Sequence, residues 1–291
     1  MTADNTAELT QSTGAQTFLP HILMHKREEV ERQQSKLPLA RLRRESERAP
    51  APRPFAQALR HPDRLGLIAE IKKQSPAKGL LARDFDPLRL ARIYTANGAA
   101  AISVLTDLRF FGGSLQHLKA IRAAQEMEGG VAHPTPPLLR KDFLVDPYQV
   151  YEARAYGADA VLIIVAAVTP EMVATLLETT RATGMEALVE VNNEQELEVA
   201  LAAGADMIGI NNRNLHTFVV DPATTERLLA AVPASPRTTM VSLSGIESAG
   251  ELARLRALGA DAILVGEAIV TAQDPAAKVR ELSGSAEPGT T

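Results

Sequence analysis

The residues able to do chemistry stand at the ends of short apolar runs. Glu70 and Lys72 close the run Leu67–Lys72, and Lys141 closes Leu138–Lys141. Glu190 sits near the end of Ala187–Val191, and Asn211 ends Met207–Asn211. A lysine beside a carboxylate suits proton transfer to and from a carbonyl; it suits a Schiff base equally well. Two further runs add a different capacity. Ser244-Gly245-Ile246 and Gly266-Glu267-Ala268 are built of small residues that expose backbone N–H groups, and a helix starting at such a turn favours an anion such as phosphate. The Glu267 side chain would repel that anion, so only its N–H is expected to help. Phe110 and Phe111 read as ordinary loop packing, or else as a wall for an aromatic substrate.

These residues need elements to hold them, and an internal repeat supplies the pattern. Gly98-Ala-Ala-Ala-Ile-Ser-Val, Gly157-Ala-Asp-Ala-Val-Leu-Ile, Gly204-Ala-Asp-Met-Ile-Gly-Ile and Gly259-Ala-Asp-Ala-Ile-Leu-Val share one grammar. Each follows an Ala/Leu-rich stretch and leads into a β-branched run. Glycine closes a helix in the left-handed conformation, and the apolar run after it reads as a buried parallel strand. Eight strand candidates result: Leu67–Lys72, Ala101–Leu105, Leu138–Lys141, Ala160–Val165, Ala187–Val191, Met207–Asn211, Met240–Leu243 and Ile263–Val265. Eight β/α units over roughly 220 residues fit an α/β fold of the (β/α)8 TIM-barrel type, typically about 250 residues. A doubly wound open sheet is the rival, but no G-x-G-x-x-G follows the first strand. Strand alternation then turns Ile68, Glu70 and Lys72 into the barrel and Leu67, Ala69 and Ile71 towards the helices. Ionised groups in a barrel mouth are costly unless paired, so Lys72 and Lys141 should sit among Glu70 and Glu190. A structural ion-pair plug is the plain alternative to an active site.

Ahead of the barrel, Ile22, Leu23 and Val30 with the charged set Lys26, Arg27, Glu28 and Glu29 suggest an amphipathic helix. Arg41 to Arg48 alternates with Glu45 and Glu47 and reads as a solvated face, ended by Pro50-Ala-Pro52-Arg-Pro54. The expected organisation is a loose tail over 1–17, an N-terminal helical extension over 18–62, the barrel over 63–282 and a second tail over 283–291. Val131 to Pro137 reads as a loop before the third strand.

The chain has 291 residues and 31 Lys+Arg against 35 Asp+Glu, a net charge of −4, with no Cys. That balance argues against a nucleic-acid or anionic-membrane partner. The absence of Cys removes disulfides, thiolate metal sites and a Cys nucleophile. No apolar run approaches the roughly 20 residues of a membrane span, and the polar N-terminus lacks the form of a signal peptide, so a cytoplasmic location is expected. His21 and His25 have i,i+4 spacing, but Ile22 stands where a zinc protease needs Glu, which leaves a helix surface pair. No G-x-S-x-G or Walker A run occurs.

The runs Ile68-Ala-Glu-Ile-Lys-Lys-Gln-Ser-Pro76, Leu105-Thr-Asp-Leu-Arg-Phe-Phe-Gly-Gly-Ser114, Leu139-Arg-Lys-Asp-Phe143, Leu188-Val-Glu-Val-Asn192, Gly209-Ile-Asn-Asn-Arg-Asn214 and Ser244-Gly245-Ile246 fall in order on successive strands. Together they resemble the indole-3-glycerol phosphate synthase family of tryptophan biosynthesis, over about Ile22 to Ala272. The resemblance implies a barrel with an extra helix across its mouth, and a carboxy-lyase reaction. In it, 1-(2-carboxyphenylamino)-1-deoxyribulose 5-phosphate closes to indole-3-glycerol phosphate with loss of CO₂ and water. It implies no metal and no organic cofactor. Lys141 resembles the general acid that protonates the ketone oxygen, and Glu190 the general base for dehydration. Lys72 would hold the substrate's carboxylate or phosphate, with a share in the second acid step, and Glu70 would position and tune the lysines. Asn211 and Arg213 would orient polar groups, and Ser75 belongs to the binding loop. Leu105, Phe111 and Phe143 would flank the anthranilate ring. Ser244, Gly245, Gly266 and Glu267 would form the phosphate cradle.

One position departs from the family pattern. The family usually reads Glu-Ser-Gly at the seventh strand, whereas this chain reads Ser242-Leu243-Ser244-Gly245. Leu243 removes one carboxylate from the mouth, and compensation would fall to Ser242 or a loop carboxylate. The expectation is reduced turnover with binding largely retained. A phosphoribulose isomerase or Schiff-base aldolase, and a binding module without turnover, are the competing readings. The expected partner is a small phosphosugar-anthranilate substrate, with no nucleic acid, no membrane and no obligatory protein partner.

Overall fold

The structure, a computed structural model, describes residues 18–128, 135–232 and 238–285. The expected tail over 1–17, most of the expected loop from Val131 and the end of the C-terminal tail lie outside these residues. Eight parallel strands close into a barrel. They are β1 (Gly66–Ile71), β2 (Ala101–Leu105), β3 (Leu138–Lys141), β4 (Ala160–Ile164), β5 (Glu186–Val191), β6 (Met207–Asn211), β7 (Thr239–Leu243) and β8 (Ala262–Val265). Each expected strand is present within a residue or so at either end. Closure is made by β1, which pairs with β2 through Glu70↔Ser103 and with β8 through Ile68↔Leu264. The repeated glycines at 98, 157, 204 and 259 all have left-handed φ, between 76° and 97°. Each therefore ends its helix and turns the chain into the next strand, the conformation that an L side chain disfavours.

Alternation along the strands divides the apolar residues into two cores. Leu67, Ala69, Ile71, Ile102, Val104, Val189 and Ile208 face the surrounding helices. Ile68, Leu139, Leu162, Leu188, Val241, Leu243 and Leu264 fill the barrel interior. Each of these Leu, Ile and Val side chains withdrawn from water contributes about 1.5–3 kcal/mol before entropy is counted.

The N-terminal segment closes the barrel at both ends. Helix α1 (Phe18–Lys36) crosses the mouth, α2 (Leu39–Arg48) lies on the outside, and α3 (Phe55–Leu59) plugs the base. Phe55 and Leu59 are fully buried in the inner core. The first turn of α3 is capped by Glu186, at the start of β5, which accepts from Phe55 N and, at 2.8 Å, from Ala56 N. On α2 the arginines 41, 43, 44 and 48 are exposed while Leu42 packs against Val30 and Tyr148, so the mixed charge run is a solvated face. Lys26 corrects the expectation for α1. The sequence sets it among four charged residues, yet it is 2% exposed, because its spacing from Ile22 and Leu23 places it on the same buried stripe.

Candidate active site

The C-terminal ends of the strands surround a cavity of about 650 Å³. All five expected catalytic residues, Glu70, Lys72, Lys141, Glu190 and Asn211, line it. So do Ser75, Leu105, Phe111, Phe143, Arg213, Ser244, Gly245, Gly266 and Glu267. Residues from seven different strands or their following loops are thus brought to one space, as the fold requires of inward-facing strand ends.

At its floor, Lys72 Nζ lies 2.8 Å from Glu70 Oε1. Lys141 Nζ stands between two carboxylates, 4.0 Å from Glu70 Oε2 and 3.9 Å from Glu190 Oε2. Burial alone would raise the Glu70 carboxyl, but the charges of Lys72 and Lys141, with Arg213 beyond, outweigh it and hold Glu70 below the ordinary carboxylate value. Glu70 also touches the wall made by the neighbouring β8. A Cβ on Gly266 would meet Glu70 Oε1 at 2.5 Å, so only glycine lets the β8 loop approach the carboxylate. Asn211 Nδ2 donates to Glu190 Oε1 at 2.8 Å, and Asn211 Oδ1 accepts from Arg213 N at 2.9 Å. One asparagine therefore fixes the orientation of Glu190 and the start of the loop carrying Arg213.

The opposite end suits an anion. Ser244 and Gly245 both have left-handed φ, 66° and 75°, and Asn212 Nδ2 holds Ser244 O at 2.9 Å. Glu267 faces the cavity with its side chain as well as its backbone. Its carboxylate pairs with Lys78 and lies 3.8 Å from Arg213 Nη2, so the repulsion expected from it is largely neutralised. Lys78, Lys278 and Glu247 line the cavity too and were not anticipated. Lys78 carries a usable signal, lying three residues after Ser75 in the same loop, where Ser75 Oγ accepts from Lys78 N at 3.2 Å.

Apolar walls complete the space. Phe111 and Phe143 face each other with ring centroids 6.1 Å apart, while Phe110 turns outward onto His25 of α1 at 5.8 Å. The adjacent phenylalanines thus divide between cavity wall and lid packing. Helix α1 adds Leu19 and Ile22 to the lining. It is held down by Lys26, whose Nζ lies 2.9 Å from Asp142 Oδ1, 3.0 Å from Asp107 Oδ2 and 3.0 Å from Glu29 Oε2. Burial would lower the lysine's pKa, but the three carboxylates together raise it above the ordinary value. Asp142 lies beside Lys141 and Phe143 in the chain, and Asp107 caps the turn carrying Phe111 by accepting from Phe110 N at 2.8 Å.

Leu243 is 1% exposed and lines the cavity, against Leu188 and over Gly209. Ser242 does not take the place of a carboxylate there. Its hydroxyl lies behind the strand, 2.8 Å from Thr225 Oγ1 and 3.4 Å from Asn212 Nδ2, because alternation sends the neighbour of an inward Leu243 outward. The loop carboxylates Glu247 and Glu267 do reach the cavity. Among the described residues no group of three or more His, Asp or Glu is placed to hold a metal ion. Nor is any helix among them long and apolar enough to cross a membrane.

A (β/α)8 barrel whose mouth gathers two lysines and two carboxylates, with Lys141 between Glu70 and Glu190 and Lys72 against Glu70, has the site of a barrel enzyme. Comparison with known proteins narrows the class. The family model for indole-3-glycerol phosphate synthase matches residues 19–282. A relative of that name from Roseiflexus sp. (strain RS-1) is 59% identical over 268 residues, spanning 92% of this chain and 98% of the relative. Another from Dehalococcoides mccartyi (strain CBDB1) is 49% identical over 266 residues, 91% and 99% of the two chains. Among solved structures, 3-hexulose-6-phosphate synthase from Salmonella typhimurium superposes with a TM-score of 0.56 at 17% identity, over 76% of this chain and 98% of that one, a likeness of fold. The chain belongs to the indole-3-glycerol phosphate synthase family and is a carboxy-lyase that catalyses ring closure and decarboxylation.

Proposed function

We propose that the substrate is 1-(2-carboxyphenylamino)-1-deoxyribulose 5-phosphate and that the residues of this cavity divide its chemistry as follows. Lys141 protonates the ketone oxygen as the aromatic carbon attacks, stabilising the charge that develops there. The ring then loses CO₂, and Glu190 takes the proton that accompanies loss of the hydroxyl as water. Lys72 holds an anionic group of the substrate and Glu70 keeps both lysines in place. Asn211 and Arg213 orient the polar groups, Leu105, Phe111 and Phe143 flank the anthranilate ring, and Ser75 closes the β1 loop over it. Ser244, Gly245, Gly266 and Glu267 cradle the phosphate, the last two through their N–H groups. The reading needs no cofactor, no obligatory protein partner and a cytoplasmic setting.

The observation that carries this reading is the placement of Lys141 Nζ between Glu70 and Glu190, at 4.0 and 3.9 Å. It is close enough for charge stabilisation yet free of a saturating partner. The test is an indole-fluorescence assay of the purified chain with the carboxyphenylamino-deoxyribulose phosphate, beside Lys141→Ala. Turnover that disappears in the variant is the expected result. Binding without turnover would favour a non-catalytic module, and trapping of Lys141 by borohydride would favour a Schiff-base enzyme.

A further inference from the structure

Glu190 lines two cavities. Besides the main one, it forms the inner end of a small cavity of about 90 Å³ that also takes in Asn192, Asn193, Glu196, Asn214 and His216, with Ala166 in its wall. Its two carboxylate oxygens differ. Oε1 accepts from Asn211, whereas Oε2 is buried and makes no hydrogen bond. The outer end reaches the surface at His216, which is exposed. At roughly 30 Å³ per molecule such a space holds about three waters, and its polar lining gives each of them partners.

We infer that this rear cavity is a proton exit, through which water carries the proton from Glu190 past Glu196 to solvent while the mouth is still filled. The inference rests on the reading of Glu190 as the general base. Glu190 is 2% exposed, and a substrate filling the main cavity would lie over it and block the front route until product leaves. The rear cavity is lined by the same side chain. The proton balance is simple. Glu190 Oε2 takes one proton from the substrate and passes it to cavity water, returning to the carboxylate. The lysines give two protons per turnover, Lys141 one to the ketone oxygen and a lysine one to the departing hydroxyl, and recover both from solvent through the mouth once product has left. With the one released at the rear, the net uptake is the single proton that loss of CO₂ from a carboxylate requires.

Glu196 is the residue placed to relay it. Its Oε2 accepts from Asn192 N at 2.7 Å and its Oε1 from Asn193 Nδ2 at 2.7 Å. Burial raises its carboxyl above the ordinary value; those hydrogen bonds oppose the rise, the Glu190 charge adds to it and His216 opposes it. The shift brings it nearer the operating pH, where a group passes protons best. The ionisable groups that line the cavity with it are Glu190 and His216.

The experiment compares wild type, Ala166→Leu, which fills the cavity, Glu196→Gln, which removes the relay, and Glu190→Gln. Each is measured in single-turnover and steady-state modes, in H₂O and D₂O. The base begins ionised, so the first turnover of Ala166→Leu and Glu196→Gln should match wild type. Their steady-state kcat should fall about three- to tenfold, short of the roughly 10²-fold of the base itself, with KM unchanged and a larger solvent isotope effect. Unchanged kcat in both variants, or a first turnover slowed as much as the steady state, would overturn the inference while Glu190→Gln still abolishes activity. Activity retained by Glu190→Gln, or no turnover by wild type, would instead overturn the assignment of the base.

Discussion

Lys26 and Lys141 stand on either side of one short segment at the end of β3 and are bound in opposite ways. Lys26 is sealed, with three carboxylate oxygens at 2.9–3.0 Å and a side chain 2% exposed. Lys141 has two carboxylates at 3.9–4.0 Å and a side chain 18% exposed. The network around Lys26 extends through Asp142 to Thr106 at 2.6 Å and Arg140 at 3.0 Å, leaving the Asp142 carboxylate fully engaged. A saturated buried pair has no capacity left for a ligand and serves to hold elements together. A loosely paired one keeps its charge available to a substrate, at a cost in stability that binding or chemistry must offset. The contrast sets a saturated clamp beside an open lysine within two consecutive residues, Lys141 and Asp142, both of which line the cavity.

The comparison can be broken by removing each lysine. Lys141→Met should lower kcat by about 10²–10⁴-fold, the usual range for a general acid, with little change in Tm, as followed by fluorescence turnover and thermal melts. Lys26→Met should do the reverse. It leaves buried Asp107 without the lysine that pairs with it and Asp142 with Arg140 alone, so a stability loss of about 3–5 kcal/mol is expected in urea unfolding, and turnover per folded molecule should fall less than in Lys141→Met. A Leu243→Glu variant should raise kcat, by less than the roughly 10²-fold of a full acid/base group, with KM nearly unchanged; identical kcat would show that the missing carboxylate has no bearing on the rate. The smallest effect is expected from Lys78→Ala. Its side chain is 57% exposed, so its ion pair is worth at most about 1 kcal/mol, or less than about fivefold in KM.

The pH dependence sharpens the same contrast. Burial would raise Asp142, but Lys26 and Arg140 hold it well below its ordinary 3.8, and Lys26 lies above its ordinary 10.5. A depressed carboxyl contributes stability in full above its unfolded value and loses it as pH falls, whereas a raised lysine contributes in full below its unfolded value and loses it as pH rises. The clamp is therefore complete between about pH 5 and pH 10. Unfolding free energies measured across that window should be flat with respect to this network and should decline below it.

Much of the fold is legible because every strand announces itself by its apolar run, and β2, β4, β6 and β8 a second time by the glycine that stops the preceding helix. Glu70 and Lys72 were placed correctly by alternation alone, since one register satisfies Leu67, Ala69 and Ile71 on the helix side. The same rule, applied to Val241 and Leu243, would have turned Ser242 outward. Less legible were contacts between distant segments. Lys26 reads locally as one of four consecutive charges, and nothing near it in sequence points to Asp107 or Asp142. The Lys78–Glu267 pair joins the first and last loops of the barrel, and the space behind Glu190 is made by three separate segments. Such features depend on closure of the barrel, which brings together residues that no local pattern relates.

The central claim is that the under-coordinated lysine carries the chemistry and the saturated one carries the architecture. The most direct test is to measure kcat and Tm of Lys141→Met against wild type in one buffer, with the carboxyphenylamino-deoxyribulose phosphate as substrate. The account predicts turnover lost and Tm retained. Turnover retained with Tm sharply lowered would contradict it and make Lys141 part of a structural ion-pair plug.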